Sequence, residues 1–161
     1  MAIRRAMMLA FALSVVTVPP SRGGAQELLS IGVAGEHQLP FQARDGLIYI
    51  EAQVNGTRTK VLVDTGAVQT MFSIKVVPTL DANSRITVNM AKGSVAALSI
   101  PVGLTLGKLD QRQRRCSFHL DAIVGDFKFL GADGVVGLDV LGLFKSATFD
   151  FKNSVLILED R

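Results

Sequence analysis

Cysteine and tyrosine each occur once in the 161 residues, and tryptophan does not occur at all. With Cys116 alone, no intrachain disulfide can form, and a domain of this size can hold together without one. Proline is scarce, at 5 residues, whereas glycine numbers 15 and hydrophobic residues make up 48% of the chain. That balance excludes a disordered chain and describes a globular one punctuated by glycine. Tandem repeats, coiled-coil heptads, low-complexity tracts and internal linkers are also missing, so the length fits one domain with a real hydrophobic core.

The chain opens MAIRRAMMLAFALSVVTVPPSRGGAQE. Arg4 and Arg5 form a basic start, residues 6–18 an apolar run, and Gly23 and Ala25 a small-x-small site. This is the grammar of a secretory signal peptide cleaved after Ala25, and an exported product, periplasmic or secreted, is expected. The run is shorter than the roughly 20 residues of a membrane span, which leaves an uncleaved anchor as the lesser alternative. No cysteine sits near the cleavage site to support a lipoprotein.

Removing residues 1–25 takes away Arg4, Arg5 and Arg22 and no acid, so the 17 basic residues fall to 14, equal to the 14 acidic ones. The net charge of +3 and the pI near 9.3 thus belong to the leader. The main argument for a nucleic-acid partner goes with it.

Beyond the leader, residues 26–45 read as an extended lead-in and residues 46–161 as a single, mainly β domain. LIYIEAQV and TRTKVLV flank Asn55-Gly56, the dipeptide that favours a tight hairpin turn. Asn55-Gly56-Thr57 is also a glycosylation sequon, but the turn accounts for it fully. VQTMFSIKVVPTL fits a short strand or a helical turn before Pro78, and RITVNM-AKG-SVAALSIP fits two strands around a small tip containing Gly93. Further strands follow in VGLTLGKLDQRQRRCSFHLDAIVG, around a basic loop with Arg112, Arg114 and Arg115 that is most simply solvated. Val135-Val136-Gly137 reads as an apolar strand ending on glycine, LDVLGLF as a short helical turn, and ATFDF-KN-SVLIL as a closing hairpin. Cys116 and His119 stand three apart on a strand and so face opposite sides, which argues against a nucleophilic pair.

The stretch VLVDTGAVQT, residues 61–70, raises the functional question. Three apolar β-formers run into Asp64, and a carboxylate is costly to bury. Either Asp64 caps a turn or it is held there for chemistry.

VLVDTGA, followed about seventy residues later by GVVGLDVLG, resembles the retropepsin-like aspartic proteases. The resemblance spans roughly residues 46 to 158, and YIEAQVNGTRTKVLVDTGA looks like the opening of bacterial single-lobe members. It implies an all-β, retropepsin-like single-lobe acid-protease fold with one short helix, paired as a symmetric dimer. Only one Asp-Thr-Gly is present: Asp133 precedes Gly134 without a threonine, and Asp139 lies in the short helix. The implied dyad therefore takes Asp64 from each subunit of a homodimer. Thr65 would hydrogen-bond across to the partner backbone, and Gly66 would turn the chain tightly and offer its N–H. Ala67, Val135, Val136 and Gly137 would pack beside the loop and line the substrate site, and Ala91, Lys92 and Gly93 would form a flap over an extended polypeptide substrate. No cofactor and no metal are implied.

Val68 departs from the pattern, because many relatives carry a small polar residue there. Three other readings stay open on the residues alone. One is a periplasmic module with the same fold that only binds peptides. The others are a β-rich assembly protein in which Asp-Thr-Gly is coincidental, and a thiol hydrolase using Cys116.

Overall fold

The computed structural model describes residues 35–77, 85–90, 93–107, 116–128 and 131–161. The leader, the flap-tip residues Ala91 and Lys92, and Arg112, Arg114 and Arg115 lie outside them. Strands β1 (Glu36–Arg44), β2 (Leu47–Val54), β3 (Thr57–Val63) and β4 (Met71–Ser73) come first. Then follow β5 (Arg85–Met90), β6 (Gly93–Leu106), β7 (Cys116–Gly125) and β8 (Gly134–Val136). Helix α1 (Leu138–Leu141) and strands β9 (Ser146–Asp150) and β10 (Val155–Glu159) close the chain. Among the described residues, no helix is long and apolar enough to cross a membrane.

The strands form one sheet in the order β5-β6-β7-β4-β8-β3-β2-β1-β10-β9, and an added pairing of β6 with β2 brings its two halves together. Asn55 and Gly56 sit at φ 48° and 81°, the left-handed pair that a two-residue hairpin turn requires, and they join β2 to β3 in register Val54↔Thr57. The extended lead-in is partly a strand of the sheet itself. In β1, alternate residues His37, Leu39 and Phe41 point inward, and Leu39 and His37 stand opposite Leu156 and Leu158 of β10.

The chain's central run of apolar residues follows from its neighbours. β3 lies between β2, antiparallel, and β8, parallel, so both of its edges are paired, and a hydrophobic core covers each of its faces. Val61 joins a large core with Phe72, Leu104, Val136 and Leu156. Leu62, on the other face, joins a smaller core with Tyr49, Ala67, Met71, Val88, Ala97, Ile123, Phe127 and Val135. A strand buried on both faces reads as a continuous hydrophobic run, and VLV is that run.

The segment before Pro78 combines both expected forms, strand β4 followed by turn residues 74–76. β5 and β6 make the anticipated hairpin, ending at Met90↔Gly93. Unlike the break expected near Pro101, β6 continues through it for 14 residues. β5 pairs with β6 only as far as Leu98, and β2 pairs with it only from Leu104. Pro101 falls between, where among the described residues β7 alone pairs with β6, so a missing N–H facing away from β7 costs no ladder bond.

Candidate active site

Asp64 follows directly on β3, half-buried, where the strand leaves the sheet. Its N–H donates to the carbonyl oxygen of Val136 at 3.1 Å, which carries the β3–β8 pairing one residue past the strand end. Its carbonyl oxygen accepts from the N–H of Ala67 at 3.2 Å, closing a turn over Thr65 and Gly66. The carboxylate Oδ1 accepts from the N–H of Gly66 at 2.8 Å. Asp64 thus caps a turn, and the Gly66 N–H gives its carboxylate a defined direction. The glycines with positive φ are Gly46, Gly56, Gly107 and Gly131. Gly66 therefore serves the loop through its N–H and not through left-handed backbone. Thr65 and Gly66 are exposed at the apex.

The remaining sequence-derived residues fall under the loop. Val135 and Val136 of β8 lie opposite Leu62 and Val63, and Ala67, Val135, Val136 and Gly137 are all buried. Val136 packs in the large core and Ala67 and Val135 in the smaller one, beneath the loop. Gly137 is required by contact: a Cβ there would stand 2.7 Å from the carbonyl oxygen of Ala67 and 2.9 Å from the carbonyl carbon of Gln69. The Leu138 N–H donates to that Ala67 oxygen at 2.8 Å, and the Asp139 N–H donates to Val68 O at 3.2 Å. The segment after β8 is therefore laid against residues 64–70.

Two residues absent from the sequence-derived set complete this arrangement. Thr70, fully buried, donates its N–H to Asp139 Oδ2 at 2.8 Å and its hydroxyl to Asp139 Oδ1 at 2.7 Å. The Thr70 hydroxyl also accepts the Gly137 N–H at 3.1 Å. The only signal in the sequence is a hydroxyl six residues after Asp64 and an acid two after Gly137, a spacing with no meaning until the segments are opposed.

Gly93 opens β6, on the hairpin that the resemblance assigns to a flap. From that hairpin Val88 and Ala97 enter the smaller core together with Ala67 and Val135, so its base shares packing with the floor of the Asp64 loop. Among the described residues, no group of three or more His, Cys, Asp or Glu side chains is arranged to hold a metal ion. Cys116 is buried, and burial, aided by the negative charge of Asp160, pushes its thiol up to about 12. His119 faces solvent. Cys116 is therefore a protonated core residue, which removes the thiol-hydrolase reading.

No protein-family model and no curated protein matches the sequence. Among solved structures, the chain is similar to the crystal structure of a retropepsin-like aspartic protease from Rickettsia conorii. The TM-score is 0.54 and the identity 24%, over 80% of this chain and 92% of that one. The chain has the retropepsin-like fold. EIAV protease, complexed with the inhibitor HBY-793, also matches, with a TM-score of 0.40 and 22% identity over 58% of this chain and 84% of that chain. Within the retropepsin-like fold of this chain, the two other acids of the loop region are committed. The Asp133 carboxylate accepts the Thr59 hydroxyl at 3.0 Å, and that of Asp139 accepts from Thr70.

Proposed function

We propose that this protein is an aspartic endopeptidase that acts as a symmetric homodimer and hydrolyses peptide bonds in extended polypeptides. The observation that carries the reading is Asp64: a half-buried carboxylate at a strand end, oriented by the Gly66 N–H, in a retropepsin-like fold. One chain supplies one such carboxylate, and the partner's Asp64 supplies the other. Two carboxyls meeting at the two-fold axis cannot both ionise, so they hold one proton between them.

The ionised Asp64 takes a proton from a water molecule as its oxygen attacks the peptide carbonyl carbon. The protonated carboxyl of the partner's Asp64 passes its proton to the carbonyl oxygen. In the breakdown of the tetrahedral intermediate, a carboxyl proton goes to the leaving nitrogen, the C–N bond breaks, and a hydroxyl of the gem-diol returns one proton to the dyad as the product carboxyl forms. Thr65, exposed at the apex, would hydrogen-bond to the partner's backbone. The β5–β6 hairpin would close over the substrate with Ala91, Lys92 and Gly93 at its tip, and strand-like backbone bonding would hold the polypeptide. Cleavage of residues 1–25 during export would deliver the domain to the periplasm or the exterior.

The test incubates the mature chain with an unfolded protein from mildly acidic to neutral pH, beside Asp64→Asn. Cleavage by the wild type alone, rising faster than linearly with enzyme concentration, supports a dimeric aspartic protease. A folded wild type that binds peptides without cleaving them at high concentration overturns it in favour of the binding module.

A further inference from the structure

The loop that carries Asp64 is joined to the segment after β8 mostly by main-chain bonds. The exception is one side-chain assembly. Gly137 N–H donates to the Thr70 hydroxyl, which donates in turn to Asp139 Oδ1, while Thr70 N–H donates to Asp139 Oδ2. Oδ1 also receives the Val140 N–H at 2.9 Å. Thr70 further accepts the Ile123 N–H of β7 on its carbonyl oxygen at 3.0 Å, so its N–H, carbonyl and hydroxyl are all engaged. An ionised carboxylate only accepts, and three donors converge on this one. Bonds of this kind are shorter and stronger than neutral ones, and a hydroxyl that accepts and donates at once polarises the chain of bonds through it.

From this geometry we infer that Thr70 and Asp139 are positioning residues for the reaction. They fix the far end of the Asp64 loop against α1 and so set where the Asp64 carboxylate stands relative to the two-fold axis. The inference rests on the protease reading for its kinetic consequence. The positional consequence stands without it.

The near end of the loop is held by the Asp64 N–H on Val136 O, in line with β3. That bond fixes a height along the strand, and main-chain bonds from Leu138 to Ala67 O and from Asp139 to Val68 O hold the middle of the loop. The apex residues Thr65 and Gly66 are exposed. The far end is held at Thr70 by Asp139, 69 residues beyond it in sequence. A dyad built from two symmetric copies doubles any error, because a shift of one carboxylate is repeated by its mate. Hydrogen-bond contact between the two carboxyls tolerates only a fraction of an ångström.

The experiment compares Asp139→Ala, Asp139→Asn, Thr70→Val and Thr70→Ser in the full mature protein, well below each variant's melting temperature. For Asp139→Ala and Thr70→Val, kcat is expected to fall about ten- to a hundredfold, with KM within about threefold of wild type. Thr70→Ser keeps the hydroxyl and is expected to restore most of kcat. Asp139→Asn puts an amide against the Thr70 N–H or hydroxyl, loses one acceptor, and falls between. The double variant Asp139→Ala with Thr70→Val is expected to lose no more than either alone, because both break one assembly.

The amide resonance of Gly66, whose N–H reads the position of the Asp64 carboxylate directly, is expected to shift in Asp139→Ala and Thr70→Val and to stay at its wild-type position in Thr70→Ser. A lower melting temperature with wild-type kcat and an unmoved Gly66 resonance would reduce the pair to structural support and overturn the inference. An inactive wild type would sink the protease reading, while the Gly66 resonance would still decide the positional claim. If Asp139→Ala does not fold, the isosteric Asp139→Asn and Thr70→Val carry the same comparison.

Discussion

The carbonyl oxygen of Ala67 stands 2.7 Å from the point where a Cβ on Gly137 would lie. The same oxygen accepts the Leu138 N–H. The chain after β8 is therefore pressed onto the Asp64 loop at the distance of backbone on backbone, and only a residue without a side chain fits. The obstacle is main chain on both sides, so no rotamer change can relieve it.

Gly137→Ala should accordingly destabilise the fold by at least ~1–3 kcal/mol, the usual cost of overpacking a site that cannot relax. Urea unfolding followed by circular dichroism measures this directly. A midpoint equal to that of wild type would mean that the loop yields, contrary to the contact.

Gly56→Ala isolates the hairpin turn from the site. Gly56 has φ +81° and open space where a Cβ would go, so the cost is backbone conformation alone, roughly 1–2 kcal/mol. The Asn55 side chain adds a bond from the Gly103 N–H at 2.8 Å that this change leaves in place. Stability should fall while kcat and KM stay at wild-type values. A drop in kcat would show that the turn communicates with Asp64 along β3.

Cys116 should resist alkylation in the native protein at pH 8 and react readily once unfolded in urea. Its folded value is raised from 9.0 to about 12. Between those limits the folded chain keeps the thiol proton that the unfolded chain has lost. This contribution is fully present below pH 9 and is lost as pH rises toward 12. Subtracting the curve of Cys116→Ala from that of wild type isolates it from lysine and tyrosine titration. A flat difference between pH 9 and 12 would contradict burial as the cause.

Near the chain's two ends, His37 Nε2 lies 3.1 Å from Asp160 Oδ1, and Asp160 Oδ2 accepts the Gly35 N–H at 3.1 Å. His37 is buried. Asp160→Ala strands its Nε2 and should cost about 1–3 kcal/mol, the penalty of a buried polar group without its partner. Asp160→Asn keeps acceptor capacity and should cost less. Both remove the charge that contributes to the raised Cys116 thiol, so alkylation should begin at a somewhat lower pH in each. Equal stability of all three proteins, measured by thermal unfolding, would show that the pair contributes nothing net.

Much of this fold was readable locally. Asn55-Gly56 announced its hairpin because the left-handed turn depends on those two residues alone. The VLV run before Asp64 announced a strand, and LDVLGLF announced the short helix. The continuation of β6 through Pro101 was not readable. It depends on which strand lies along each edge at that residue, and partners chosen across the sheet leave no mark on the proline.

The sequence by itself determined that one carboxylate would sit at the end of an apolar strand in an Asp-Thr-Gly turn, beside a distant glycine-ended strand. Those features follow from chain order over a few residues. Tertiary structure alone decided what restrains that carboxylate and what lies beneath it. The Thr70–Asp139 assembly joins residues 69 apart, and the His37–Asp160 pair joins residues 123 apart. Ala67, Val135 and Val136, read from sequence as substrate-site residues, are buried in the cores beneath the loop. The reason in each case is register: the pairings of β3 with β8 and of β1 with β10 select which side chains face one another, and register is a property of two strands together.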